Sequence, residues 1–285
     1  MKKLLTVGMA TYDDFDGVFF TIQALRMYHN ICKSNNVEFI VIDGNPESAS
    51  GKATKKFVES IHEQDKKYIE NTGQLSSFNK YKIVDYASGE YILILDCHVL
   101  LVPGAIDALL LYYLKNPDCK DLLQGPLVYD NQINVATHFD PKWSGHMFGV
   151  WGTDERYKTG EPFEIGLQGM GLCSFEKKNW PGINQEFKGF GAEEGYMAEK
   201  FRQNGGRNIC IPQLGWLHRF GRPNGVKYPL ILEDRIWNYF IGWLELTQDP
   251  EHEMIKGTYE HFKDKIPSGS IDNILQLAKE KVGIK

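Results

Sequence analysis

The fold is decided by residues 91–98, which are Tyr91-Ile92-Leu93-Ile94-Leu95-Asp96-Cys97-His98. Five consecutive apolar residues predict a buried central strand, and Asp96 and His98 follow its end. In an open α/β sheet, ligands bind beyond the carboxyl ends of the strands, so these two side chains lie where chemistry is expected. A carboxylate with an imidazole suits a manganese-type ion better than magnesium, which prefers all-oxygen ligands. Taken alone, the same pattern also fits a solvated turn after a strand.

Strands alternate with helices on both sides of this stretch. The first half is predicted to contain strands at 4–10, 37–42, 67–70 and 91–95, and helices at 19–33, 52–62 and 75–87. This alternation predicts a mostly parallel sheet with helices on both faces. The second half is less regular, with strands at 122–129, 169–175 and 208–212, long loops over 139–163, and helices at 105–115, 192–204, 230–246 and 271–281. Neither a repeat nor a linker interrupts the chain.

Composition sets the class of protein. The 285 residues are 42% apolar and 24% charged, which is typical of a globular protein, and the net charge of −5 argues mildly against binding to phosphate backbones. The five cysteines form no CxxC pair, which favours a reducing compartment. The apolar run at 4–10 meets Asp13 and Asp14 without a cleavage pattern, so it predicts a strand rather than a signal peptide. We expect a cytoplasmic protein without a membrane span; its oligomeric state stays open.

The motif at Asp96 and His98 resembles the metal motif of the nucleotide-sugar glycosyltransferases of the GT-A fold, which is an Asp-x-Asp after a central strand. Its Asp-x-His form is similar to that of the polypeptide N-acetylgalactosaminyltransferases. Residues 5–13 resemble the opening strand of family 2 glycosyltransferases, which ends in Thr-Tyr-Asn and here ends in Thr11-Tyr12-Asp13. Residues 39–44 resemble the second strand, whose terminal aspartate, here Asp43, contacts the base or ribose. The resemblance extends from about residue 4 to about residue 239.

The segment before the metal motif matches the family with one departure. Asn71 and the run at 87–91 fit the pattern, but Phe78 stands where the family usually has an arginine. Lys80 or Lys82 takes over that role, or no residue does. The resemblance therefore implies that Thr11, Asp43, Asn71 and Lys80 contribute to donor binding.

A second match lies at Gly191-Ala192-Glu193-Glu194-Gly195-Tyr196-Met197, followed by Arg202-Gln203-Asn204-Gly205-Gly206. It resembles the Gly-Gly-Glu-Asn segment of the N-acetylgalactosaminyltransferases and the Gly-Glu-Asp helix start of family 2. His218, six residues after Pro212, fits the same frame. An isolated histidine here would more simply be structural, but the resemblance implies that Asp96, His98 and His218 bind Mn²⁺ (or Mg²⁺) with positions left for a diphosphate.

Glu193 and Glu194 begin a helix, where the helix dipole alone favours acidic residues. The resemblance implies that one of them accepts the proton of the acceptor hydroxyl. In family 2 this role falls to the second acid, here Glu194, whereas the N-acetylgalactosaminyltransferases have an asparagine there. The two resemblances therefore disagree on whether the anomeric configuration is inverted or retained, and we favour Glu194 as the base of an inverting reaction.

The segment 219–227 after His218 is basic and interrupted by glycines. A solvated loop would have the same composition. A lid that closes on a diphosphate needs flexible hinges and cations, and Arg219, Arg222 and Lys227 supply the cations.

These observations predict an α/β protein with a GT-A (Rossmann-like) fold and a C-terminal helical segment. We expect one domain at 1–228, with a nucleotide-binding half (1–100) and an acceptor half (101–228), followed by a helical extension (229–285). The resemblance implies metal-dependent transfer of a sugar from a nucleotide-diphosphate sugar, with UDP as the expected nucleotide, to an acceptor hydroxyl. A glycan, a polypeptide, a small molecule and a modified nucleic acid base, as in phage DNA glycosylation, stay open as acceptors.

Two other classes compete with this interpretation. A nucleotidyltransferase of nucleotide-sugar synthesis would need a basic, glycine-rich loop after the first strand, but residues 11–16 are acidic. A noncatalytic binding module would not need Asp96, His98, His218 and Glu193 together.

Overall fold

The computed structural model describes residues 3–62, 64–73, 77–222 and 225–284. Its strands are β1 (Lys3–Thr11), β2 (Val37–Asp43), β3 (Asp65–Glu70), β4 (Gly89–Asp96), β5 (Val99–Leu101), β6 (Leu122–Gln124), β7 (Leu127–Val128), β8 (Val135–Ala136), β9 (His138–Ser144), β10 (Met147–Gly152), β11 (Phe163–Glu164), β12 (Leu172–Glu176), β13 (Asn208–Cys210) and β14 (Trp216–His218). Its α-helices are α1 (Phe15–Tyr28), α2 (Ala49–Ser60), α3 (Ser77–Tyr81), α4 (Ile83–Tyr86), α5 (Ala105–Lys115), α6 (Glu193–Gln203), α7 (Leu232–Thr247), α8 (Glu253–Phe262) and α9 (Ser270–Val282). Short 3₁₀ helices cover Asn30–Lys33, Glu155–Thr159 and Lys177–Asn179.

The main sheet has the strand order β11-β13-β6-β12-β4-β1-β2-β3. β1 pairs in parallel with β2 and β4, and β2 pairs in parallel with β3. Parallel neighbours need crossover connections, which α1, α2 and the α3–α4 segment provide here. β12 runs antiparallel between β4 and β6, so the sheet is mixed. The predicted α/β class with a mainly parallel central sheet is confirmed.

The central strand β4 is buried on both faces of the sheet. Leu93 and Leu95 point into an apolar layer shared with α1 and α5, whereas Ile92 and Ile94 point into a layer shared with α6 and α7. This double burial is why the stretch reads as a continuous apolar run. The predicted C-terminal helical segment is also confirmed, because α7 packs against α6, α8 and α9. Within the described residues, no helix is long and apolar enough to cross a membrane.

A second, smaller sheet has the order β5-β14-β7-β8. The prediction of a single strand at 122–129 is wrong. This stretch contains two strands, of which β6 belongs to the main sheet and β7 to the small one. The strand is interrupted at Gly125, where an added Cβ would lie 1.8 Å from the carbonyl oxygen of Leu214. The pattern of apolar residues in the sequence does not reveal this close approach of two backbone segments.

The long loops predicted over 139–163 are also wrong, because β9 and β10 form an antiparallel hairpin there. Pro141 and the lack of alternation between buried and exposed side chains along β9 hide the period-two pattern of a strand. The hairpin is instead held by packing between its arms, where the rings of Phe139 and Trp151 lie 4.4 Å apart.

The main differences between the predicted and the observed helices are three. The first helix begins at Phe15 rather than at residue 19, because Asp14 caps it, and a 3₁₀ turn replaces its predicted end. The helix predicted at 75–87 is divided into α3 and α4, and its first two residues lie outside the described ranges. Helix α8 was not predicted.

Candidate active site

Three strand ends meet at one edge of the main sheet. The register pairs Thr11 of β1 with Asp43 of β2, and Ala10 with Asp96 of β4. The backbone N–H of Asp96 donates to the carbonyl of Gly171 at 2.8 Å. An added Cβ at Gly171 would lie 3.1 Å from the Asp96 carboxylate and 2.7 Å from the Trp216 ring, so glycine leaves room for both side chains.

The small sheet brings the two histidines together. β5 starts directly after His98 and pairs antiparallel with β14, so that His218 lies opposite Val99. The ladder is extended by Arg219, whose N–H donates to the carbonyl of His98 at 3.2 Å. As a result, the Nε2 atoms of His98 and His218 lie 3.1 Å apart, and Nε2 of His218 lies 3.3 Å from Oδ2 of Asp96.

These three side chains fit a single small cation. Their donor atoms all lie within 4.8 Å of one another, and separations of about 3 Å are those of ligands that share one ion. Burial opposes ionisation of Asp96, but the charge of Lys80 and the hydrogen bond from His218 hold its pKa well below the usual range. Burial lowers the pKa of His98, which favours the neutral imidazole that a metal needs. Two imidazoles and a carboxylate match a manganese-type ion.

Asp14 is a member of the site that the sequence analysis did not identify. Its Oδ2 atom lies 2.8 Å from Nδ1 of His98, and its Oδ1 atom lies 2.6 Å from Nη2 of Arg219. Burial alone would raise the pKa of Asp14, but the hydrogen bonds from these two residues hold it well below the usual range. The available signal was its position between a strand and a helix, which is typical of an N-cap.

Two further cations contact the candidate metal ligands. Nζ of Lys80 lies 2.7 Å from Oδ1 of Asp96 and donates to the carbonyl of Met170 at 3.0 Å. Nη2 of Arg222 lies 2.7 Å from Nε2 of His98. Lys80 was predicted to contribute to donor binding, and in the structure its ammonium group forms an ion pair with Asp96, one of the candidate metal ligands. Lys82 instead donates to the side chain of Asn71 at 3.3 Å.

The ligands line a cavity of about 370 Å³. Thr11 and Tyr12 line it at the end of β1. Much of the remaining lining is aromatic and apolar and is formed by Phe139, Met147, Trp151, Phe190, Phe220 and Tyr228. The hairpin that was predicted as a loop therefore supplies part of the wall.

Glu193 and Glu194 begin helix α6 at the same cavity. Glu194 lines the cavity, whereas Glu193 is 2% exposed and its Oε2 atom has no hydrogen-bond partner in the described part of the chain. Burial and the negative charge of Glu193 raise the pKa of Glu194 well above its usual range. The preceding residue, Ala192, has a φ of 74°, a conformation that costs on the order of 1–3 kcal/mol in a non-glycine residue.

The other predicted donor-binding residues do not line the cavity. Asp43 is fully buried, and its carboxylate accepts hydrogen bonds from the N–H of Asn45 at 2.8 Å and the hydroxyl of Tyr68 at 2.7 Å. Burial raises its pKa. Asn71 is joined to the side chain of Asn79, which does line the cavity. Lys227 is exposed, and the predicted lid also contains residues 223 and 224, which lie outside the described ranges.

The fold and the site together define a class: an α/β protein of the GT-A type, with a candidate metal centre at the carboxyl edge of its sheet. The sequence profile of glycosyl transferase family 2 matches residues 6–163, which is more than half of the chain. The chain therefore belongs to glycosyl transferase family 2. A search of curated protein sequences found no match.

Solved structures similar to this chain include GalNAc-T7, the mannosyltransferase PcManGT and TarS. GalNAc-T7 with UDP, GalNAc and Mn²⁺ has 16% identity and a TM-score of 0.69, with 99% of this chain and 55% of that chain covered. The mannosyltransferase PcManGT of Pyrobaculum calidifontis with GDP-Man and Mn²⁺ has 13% identity and a TM-score of 0.56, with 99% of this chain and 70% of that chain covered. TarS of S. aureus with UDP-GlcNAc has 10% identity and a TM-score of 0.55, with 98% of this chain and 80% of that chain covered. The present chain thus spans about half the length of GalNAc-T7, and the likeness establishes the shared fold.

Proposed function

We propose that this family 2 protein is a metal-dependent glycosyltransferase, which moves a sugar from a nucleoside-diphosphate sugar to an acceptor hydroxyl. The observation that carries the proposal is the convergence of Asp96, His98 and His218 beside a cavity at the carboxyl edge of the sheet. Family membership supports the reaction class. The ligands of GalNAc-T7 and PcManGT support a nucleoside diphosphate and Mn²⁺.

The roles of the residues follow from their chemistry. Asp96, His98 and His218 would hold the ion, which supplies positive charge where the leaving diphosphate gains negative charge. Arg222 provides a guanidinium beside the same point, and such a group binds phosphate oxygens in a bidentate manner. Lys80 pairs with Oδ1 of Asp96, the carboxylate oxygen that does not face His218, and this ion pair neutralises the carboxylate and fixes its orientation.

Glu194 is our candidate for the general base. It lines the cavity, and its raised pKa lies nearer to neutral pH than that of an ordinary carboxyl group, which favours proton transfer under working conditions. A base on the acceptor face fits inversion at the anomeric carbon, because the hydroxyl then attacks opposite the leaving diphosphate. Glu193 lies directly beside it and is the alternative.

UDP is the expected nucleotide of the donor. Two of the three similar structures contain UDP or a UDP-sugar, whereas the third contains GDP-mannose. The aromatic wall formed by Phe139, Trp151 and Tyr228 suits the apolar face of a sugar ring on the acceptor side.

The test is a screen of UDP- and GDP-sugars with Mn²⁺, in which release of the nucleoside diphosphate reports donor cleavage. We expect release that depends on Mn²⁺ and is lost in His218→Ala. His62→Ala is the matched control, because His62 is an exposed histidine outside the cavity. Metal-independent release, or full activity of His218→Ala, would contradict the proposed site. Pyrophosphate release from a nucleoside triphosphate and a sugar phosphate would contradict the proposed reaction class.

A further inference from the structure

Asp14 connects three parts of the site through one carboxylate. It follows β1 and caps α1, with Oδ1 accepting from the N–H of Gly17 at 3.1 Å. Its other oxygen, Oδ2, is turned to Nδ1 of His98 at 2.8 Å. An N-cap needs only one oxygen, so the second contact calls for a separate explanation.

Close packing holds this arrangement in place. An added Cβ at Gly17 would lie 2.7 Å from the carbonyl oxygen of Cys97 and 2.8 Å from Oδ2 of Asp14. Glycine at this position therefore lets the first turn of α1 approach the backbone that carries His98. The side chain of Asp14 is only 15% exposed.

The contact with His98 determines which imidazole nitrogen carries the proton. The N-terminus of α1 and the guanidinium of Arg219 both stabilise the ionised form of Asp14. A carboxylate only accepts hydrogen bonds, so Nδ1 of His98 must be the donor. In the neutral ring, Nε2 then carries the lone pair, and it is directed at Nε2 of His218, 3.1 Å away.

The contact between Asp14 and Arg219 also helps to position the second histidine, His218. Arg219 follows His218 directly, and its side chain lies 2.6 Å from Oδ1 of Asp14 while its N–H donates to the carbonyl of His98. Asp14 thus fixes the backbone that presents His218 as well as the ring of His98.

We propose that Asp14 is a positioning residue, which holds His98 in the Nδ1–H tautomer so that Nε2 keeps its lone pair and can bind a metal ion once Arg222 moves away from it. The inference rests on the proposed function in one respect, namely that an ion binds at Asp96, His98 and His218. A carboxylate behind a metal-binding histidine typically changes metal affinity about 10–100-fold.

The key variant is Asp14→Ser. Serine is as good an N-cap as aspartate, but its side chain is too short to reach His98. We expect a melting temperature close to that of the wild type, appearance of the Nε2–H tautomer of His98 in ¹⁵N NMR of the metal-free protein, and about 10–100-fold weaker binding of Mn²⁺ in the presence of UDP. Binding is followed through the electron paramagnetic resonance signal of free Mn²⁺, and the His98 resonances are assigned by comparison with His98→Ala.

Asp13→Ser is the matched control, because the neighbouring carboxylate of Asp13 contacts Asn45 rather than His98. It should leave both the tautomer and Mn²⁺ binding unchanged. A merely structural cap predicts wild-type behaviour for Asp14→Ser in all three measurements, and that result would overturn the inference, as would an unchanged tautomer alone. Absence of Mn²⁺ binding in the wild type would instead overturn the proposed metal site, while the tautomer measurement would still decide the role of Asp14.

Discussion

Arg222 and the proposed metal ion would compete for the same atom of His98. Nη2 of Arg222 lies 2.7 Å from Nε2 of His98, and the Nδ1–H group of His98 already donates a hydrogen bond to Asp14. Nε2 therefore has one lone pair, which accepts from the guanidinium or binds an ion. Metal binding requires Arg222 to move away, and the variant Arg222→Ala removes this competitor.

The size of the effect follows from the hydrogen bond that is lost. A hydrogen bond to a charged group contributes about 1.5–3 kcal/mol, and partial solvent exposure reduces this to about 1–2 kcal/mol here. We therefore expect Arg222→Ala to bind Mn²⁺ about 5–30-fold more tightly than the wild type in the absence of nucleotide. With Mn²⁺ present, the variant should bind UDP more weakly, because the guanidinium no longer contacts the diphosphate.

Titration calorimetry of the full chain with Mn²⁺, with and without UDP, measures both effects. Arg156→Ala is the matched control, since Arg156 is an exposed arginine that pairs with Asp154 and does not line the cavity. Equal or weaker binding of Mn²⁺ by Arg222→Ala without nucleotide would refute the competition. Unchanged binding of UDP would refute the diphosphate contact.

Three further predictions follow from the described residues. Glu194→Gln should lower kcat about 10²–10⁴-fold without changing the calorimetric affinity for UDP. Because the charge of Glu193 helps to raise the pKa of Glu194, Glu193→Gln should move the rise of activity with pH to lower pH, and a pH profile identical to that of the wild type would contradict Glu194 as the base. Gly125→Ala should lower the free energy of unfolding in urea by about 1–3 kcal/mol or more, because its Cβ would overlap the carbonyl of Leu214. Gly166→Ala, with open space around its added Cβ, is the control, and equal stability of the two variants would contradict the packing argument.

The central part of the fold could be predicted because its signals are local. β4 is an uninterrupted apolar run, and the polar residues at its end follow from the chain direction alone. Asp96 and His98 were therefore accessible from the residues themselves. The parallel pairing of β1 with β2 follows from the general rule that alternating strands and helices form a parallel sheet, whereas the pairing of β1 with β4 does not follow from that rule.

The position of His218 could not be derived from local pattern. It belongs to a three-residue strand, and its proximity to His98 depends on antiparallel pairing between segments 120 residues apart. Only the resemblance to known glycosyltransferases pointed to this residue, and the ladder of β5 and β14 is what places it beside His98. Asp14 and the hairpin of β9 and β10 were missed for the same reason, since their contacts join distant parts of the chain.

The charges around the site explain why an ion and a diphosphate should bind together. Asp96 is paired with Lys80, Asp14 with Arg219, and His98 with Arg222. An added dication would therefore meet only one anionic ligand, Asp96, which is already partly neutralised, and it would approach two existing cations. A diphosphate brings several negative charges to the same point and gives Arg222 a new partner when it leaves His98. The free energy of binding the proposed ion would thus depend on the presence of the diphosphate, and by linkage the binding of the diphosphate would depend equally on the ion.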